Sequence, residues 1–194
     1  MTRPIRLFVS SSPDLAPERE ALGQAVAELP ISVGSEIKHT PRPGEDAGEA
    51  LAYLERCDLY LVVLGADFAA PMGLEWREAL SAGKPVLAYR KRVLHSPSAQ
   101  KLLREWDVAW QEFESAQELK ALAMQALASA VLDRGEQFGL HVDDVKGLLA
   151  LVEAEEAETP AEPDRRRGAG RDAVILGHTG TGHQAIADSA HGPT

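Results

Sequence analysis

Glu75-Trp76-Arg77-Glu78-Ala79-Leu80-Ser81-Ala82-Gly83-Lys84-Pro85-Val86-Leu87-Ala88-Tyr89 is the stretch that decides how this chain is read. Its first half predicts a short helix with a carboxylate, Glu75, in its opening turn. Gly83 stops that helix, and Val86 to Tyr89 follow as a buried strand. Two apolar runs upstream have the same character: Ile5 to Val9, and Leu59-Tyr60-Leu61-Val62-Val63-Leu64. The second is apolar on both faces, as a central parallel strand must be. Each runs into a loop of small residues, Ser10-Ser11-Ser12 and Gly65-Ala66-Asp67. On one parallel sheet these loops converge on a single crevice with Glu75.

Working outward, helical spacing of Leu15, Leu22, Val26 and Leu29 predicts a first helix ended by Pro30, with Ser12 or Asp14 as its cap. A weaker strand spans Ile31 to Ile37, interrupted by Gly34. The segment from His39 to Asp46 is too rich in Pro and Gly for helix or strand. A helix from Ala47 to Arg56 follows, and Ser96-Pro97 caps another that reaches about Trp106. Val108 to Phe113 is a last strand. Ser115 with Glu118 forms a capping box for a long helix to about Leu132. The β-α unit thus repeats five times, which predicts an α/β, flavodoxin-like, five-stranded parallel sheet with helices on both faces. Ligands of such sheets sit at the carboxyl ends of the strands, where strand order reverses, here between the first and third strands. The expected organisation is a domain over 1–132, a C-terminal helical extension over 133–158, and a linker and flexible tail over 159–194.

Composition narrows the function. The chain has 194 residues, 44% of them apolar, and a net charge of −10. Its only basic clusters are Arg90-Lys91-Arg92 and Arg165-Arg166-Arg167, so a nucleic acid partner is not expected. The single cysteine, Cys57, excludes an internal disulfide and reads as a small buried residue. No apolar run approaches the ~18 residues of a membrane span, and the N-terminus lacks a leader pattern, so a cytoplasmic location is expected. Gly177-His178-Thr179-Gly180-Thr181-Gly182-His183-Gln184 has the glycine spacing of a phosphate loop. However, His183 and Gln184 stand where Lys and Ser/Thr belong, and too little chain follows. His178, His183 and His191 lack a metal-binding spacing, so no metal site is assigned.

Phe8-Val9-Ser10-Ser11-Ser12, Asp14-Leu15 and Glu18-Arg19-Glu20 resemble the opening of DUF4062 domains, a branch of the TIR-like superfamily. Arg42-Pro43-Gly44 is similar to the loop after the second strand of TIR domains. The likeness continues through Arg56-Cys57-Asp58, Leu61 to Gly65, Glu75 to Ala79, Gly83 to Val86, and Trp110 to Phe113. It covers about residues 3 to 132. In TIR domains that cleave NAD, a glutamate following the third-strand loop is catalytic, and Glu75 is the matching position. Nucleoside deoxyribosyltransferases are similar in the layout of Glu75, Ala79 and Gly83-Lys84-Pro85.

The resemblance implies no cofactor; NAD or a related nucleotide enters as the substrate. One carboxylate suits that chemistry, because breaking an N-glycosidic bond develops positive charge on the ribose, and cationic nicotinamide leaves without a general acid. Ser10, Ser11 and Ser12 then offer donors to ribose or phosphates. Arg42 and Gly44 line the crevice, and Gly65, Asp67 and Trp76 complete the binding set. Self-association, or another signalling protein as partner, is implied as well, in a bacterial defence or signalling system. Two alternatives stand beside this reading: a non-catalytic signalling module, and a deoxyribosyltransferase-like enzyme.

Overall fold

Leu59–Leu64 is buried at every position, whichever way the side chain points. A strand with no exposed face has to lie inside a sheet covered on both sides, and the computed structural model shows that arrangement. The structure describes residues 3–32, 34–40 and 46–158. Its strands are β1 (Ile5–Ser11), β2 (Ser35–His39), β3 (Leu59–Leu64), β4 (Val86–Lys91) and β5 (Trp110–Phe113). All are parallel and stand in the order β2-β1-β3-β4-β5. The helices between them are α1 (Ala16–Ala27), α2 (Ala47–Leu54), α3 (Ala70–Ser81) and α4 (Pro97–Glu105). After β5 come α5 (Ala116–Leu132), α6 (Gly135–Phe138) and α7 (Val142–Glu158). This is the flavodoxin-like architecture that the β-α repeat predicts, with its reversal of strand order between β1 and β3.

The pleat sorts the core into two layers. With Leu7 opposite Leu59 and Ser11 opposite Val63, the odd-numbered residues Ile5, Leu7, Val9, Leu59, Leu61 and Val63 meet Leu22 and Val26 of α1 and Leu127 and Val131 of α5. The even-numbered residues Phe8, Tyr60, Val62 and Leu64 meet Leu54 of α2, Met72 and Trp76 of α3, and Leu102 of α4. Each fully buried Leu or Phe contributes roughly 1.5–3 kcal/mol relative to exposure, which is why both faces of one strand specify its place so firmly. Ser10 belongs to the α3 side of this division by register.

Several boundaries differ from the sequence expectation. The first strand continues past Val9 to include Ser10 and Ser11, and the second begins only at Ser35. The first helix is capped by neither Ser12 nor Asp14: Leu15 holds that position without a side-chain bond. Most consequential, α3 starts at Ala70, with Pro71 in its first turn, where a missing N–H costs nothing. Gly73 lies within it because an added Cβ would stand 3.1 Å from the Phe68 ring. Glu75 is therefore in the second turn, and no acidic residue occupies the first. Glu75 thus does not stand in the opening turn, where the helix dipole would favour its charge.

The segment after α5 is built into the same compact unit as the sheet. Phe138 and Leu148 are fully buried in the α1/α5 layer. A Cβ on Gly147 would come within 2.8 Å of Pro30, so α7 packs closer there than any larger residue allows. Asp144 accepts hydrogen bonds from the Ser32 amide and hydroxyl and from the His141 amide. The tail 159–194, its glycine-rich stretch, and the loop residues Arg42 and Gly44 lie outside the described residues. No described helix is long and apolar enough to cross a membrane.

Candidate functional site

Glu75 faces the sheet because Met72 and Ala79, its i−3 and i+4 neighbours on the same helical stripe, are buried against it. Its side chain ends at the carboxyl edge of β1. Oε2 accepts a hydrogen bond from Ser10 Oγ at 2.5 Å and another from Thr40 Oγ1 at 2.9 Å. Thr40 is the residue after β2, and its Oγ1 in turn accepts from the Ser11 amide at 3.1 Å. One carboxylate oxygen thus gathers the ends of two adjacent strands and a helix from the opposite layer.

The other oxygen is different. Oε1 of Glu75 is buried and has no hydrogen-bond partner among the described residues, and the residue as a whole is 2% exposed. Burial pushes the carboxyl above its ordinary value, while the Ser10 and Thr40 hydroxyls oppose that shift by favouring the anion. Beneath it the Tyr60 hydroxyl is buried beside Ser10 without a hydrogen bond of normal geometry. Burial drives that phenol far above its usual range, so Tyr60 stays protonated at neutral pH.

Around this cluster a web of hydrogen bonds fixes the loop after β3. Ser12 Oγ donates to the Asp67 carbonyl and accepts from the Gly65 amide. Asp14 accepts from the Ala66 amide, and its carboxylate stands 2.4 Å from where a Cβ on Gly65 would be, so a larger residue there would push Asp14 aside. Asp67 accepts from Ser96, from its neighbour Phe68 and from Ser98, bonds that hold its carboxyl below the ordinary value. Ser12, Gly65 and Asp67 therefore fix that loop, whereas Ser10 and Ser11 belong to the network around Glu75.

Trp76 stands in the core at 5% exposure. Its indole stacks on Trp106 with ring centres 4.2 Å apart and planes within 4°. Phe8, Tyr60, Trp76, Trp106 and Trp110 form one aromatic column beneath the site. By fixing the rotation of α3, that column aims the preceding residue, Glu75, at Ser10.

Other residues of the likeness lie at the far edge of the sheet. Lys84 Nζ donates to the carbonyls of Glu55 and Cys57, closing the end of α2. Asp58 holds the Arg3 guanidinium and the Arg6 amide. Three members of the carboxyl edge are given no site role by the sequence: Thr40, and Glu18 and Arg19, which enter only through the Glu18-Arg19-Glu20 likeness. Glu18 is buried and paired with Lys91 at 2.7 Å. Arg19 Nη1 donates to the Ser12 carbonyl at 3.0 Å and lies 3.4 Å from Ser11 Oγ. The only local signal for Thr40 is a hydroxyl directly after a strand. Among the described residues no group of His, Cys, Asp and Glu is placed to hold a metal ion.

A family model described as "Domain of unknown function (DUF4062)" matches residues 6–132. No curated protein matches the sequence. Among solved structures the chain is similar to the metal-soaked Flv1 flavodiiron core from Synechocystis sp. PCC6803, at 8% identity and a TM-score of 0.42. That alignment covers 79% of this chain but 37% of the other, and a likeness of this degree says nothing about activity.

Proposed function

The chain belongs to the DUF4062 family, and from that premise we propose that it binds a ribose-containing nucleotide of the NAD type and hydrolyses its N-glycosidic bond, with Glu75 as the catalytic carboxylate. The observation that carries this reading is the asymmetry of Glu75. Oε2 is held by Ser10 and Thr40, while Oε1, at the switch point of the sheet, is buried and has no partner among the described residues. A buried carboxylate oxygen left without a partner is an uncommon arrangement, and a ribose hydroxyl would satisfy it.

The chemistry asks for little more. The bond between ribose C1′ and the pyridinium nitrogen breaks, its electron pair neutralises the nicotinamide ring, and positive charge spreads over C1′ and the ring oxygen. A fixed anion close to that charge lowers the barrier. Water then adds at C1′ and loses its proton to Glu75 or solvent.

One observation favours a second reading. At 2% exposure, Glu75 also serves as a clamp between α3, β1 and β2, which is all that a non-catalytic interaction module requires. Nicotinamide release from NAD separates the two. It is measured at high protein concentration with a crowding agent, since the resemblance implies self-association. Release that disappears in Glu75→Gln supports hydrolysis. A folded protein that releases nothing supports the clamp, and base exchange between deoxynucleosides without NAD loss points instead to a transferase.

A further inference from the structure

Among the described residues, Arg19 is a cation without an acid. The chain carries 30 acidic residues against 20 Lys and Arg, and Arg19 is flanked by Glu18 and Glu20. Glu18 is taken by Lys91, and no carboxylate among the described residues pairs with Arg19. Its recorded bonds come from a single nitrogen, Nη1, to the Ser12 carbonyl and, more loosely, to Ser11 Oγ. A guanidinium has five donors in a planar fork, so most of its capacity is unused.

Its position matters as much as its charge. The side chain is half-buried, which restricts it. The bond to Ser12 fixes it at the carboxyl end of β1, the strand that forms one side of the switch point. From there the network runs without a break. Ser11 contacts Arg19 through its hydroxyl and Thr40 through its amide, and Thr40 donates to Glu75. Oε1 of Glu75 lies at the other end of this path.

We propose that Arg19 forms a phosphate subsite. Its free guanidinium edge, together with the Ser11 hydroxyl, takes the phosphate of the nucleotide whose ribose meets Glu75. This rests on the reading of Glu75 as the ribose-facing group, and it names the substrate class that such a site selects: phosphorylated nucleotides over neutral nucleosides. An anion placed over β1 bonds to a fork made for it, and charge-assisted bidentate contacts are the strong ones. The same carboxylate without Arg19 would treat a nucleoside and a nucleotide alike.

Binding of ADP-ribose, the nucleotide that remains once nicotinamide has gone, tests this without turnover. The full-length wild-type chain is compared by calorimetry with Arg19→Met and Arg19→Lys, and adenosine is the uncharged probe. Methionine keeps helix propensity and length, and a thermal melt confirms folding of each variant. The expected result is about ten-fold weaker ADP-ribose binding in Arg19→Met, an intermediate loss in Arg19→Lys, and no change for adenosine. Equal ADP-ribose affinity in wild type and Arg19→Met overturns the subsite, as does wild-type binding of adenosine as tight as that of ADP-ribose, or no ADP-ribose binding at all. The two readings fail separately. Arg19-dependent ADP-ribose binding without nicotinamide release from NAD removes the hydrolysis and leaves the subsite. Release with an unchanged KM in Arg19→Met removes only the subsite.

Discussion

Ser10 donates its hydroxyl to Glu75 Oε2 across 2.5 Å, joining the end of β1 to the second turn of α3. The contact spans 65 positions of sequence and both partners are buried. A hydrogen bond to an ion in such a setting favours the charged form of the acid.

Removing that donor should weaken the anion. In Ser10→Ala the Glu75 carboxyl rises further above its ordinary value. Nicotinamide release should fall about ten-fold near neutrality, the scale of one lost bond to a charged group. The acid limb of the pH–rate profile should move to higher pH. Thr40→Val should act in the same direction while also freeing the Ser11 amide. An unshifted acid limb in both variants would mean that Glu75 is not the group that titrates.

The same burial makes a statement about stability. The folded chain holds the Glu75 proton more tightly than the unfolded chain does. The stabilisation from this difference is fully present below the ordinary value of 4.5 and is lost as pH rises through the raised folded value. Glutamine can accept from Ser10 and Thr40 and has no proton to lose. Glu75→Gln should therefore melt roughly 2–4 °C above wild type near neutrality, as functional sites often exchange stability for activity. That advantage should vanish in acid. Thermal melts across pH check it, and a difference that stays constant would show that ionisation of Glu75 is not what destabilises the wild type.

Gly65→Ala should disturb the loop after β3. The new Cβ would sit 2.4 Å from Asp14 Oδ2, so Asp14 must leave the Ala66 amide it now holds. A loss of about 1–3 kcal/mol is expected on denaturant unfolding. Adding Asp14→Ala should recover part of it, and strict additivity of the two changes would rule out the clash as the cause.

How far the sequence carried the reading depends on which residues are asked. Leu59 to Leu64 showed their place outright, because only a central strand needs six apolar residues in a row; element order and topology followed. The start of α3 lies earlier than the sequence predicts. Gly65 to Gly73 contains the residues that usually mark a loop, and only the Phe68 ring against Gly73 explains a glycine inside the helix. Ser10 was legible as part of a small-residue turn. Its bond to Glu75 was not, because it depends on the pleat turning Ser10 towards α3. Thr40 carries no pattern of its own, and the Glu18-Arg19-Glu20 likeness does not say what Arg19 touches. Each matters through partners from other β-α units, and no local spacing encodes such a meeting. Trp76 looked like part of a binding wall, yet its ring lies in the aromatic column beneath the site.

Residues 10, 40 and 75 come from three different β-α units, and β2 and β3 must both pair with β1 before they can meet. Contacts so distant along the chain close late, after the entropy of the long intervening loops has been lost. The cluster therefore certifies that the first three repeats have come together: a chain clipped before α3 holds the serine and the threonine but no acid for them to grip. Whatever this carboxylate does, it does only once the third repeat has docked on the first two.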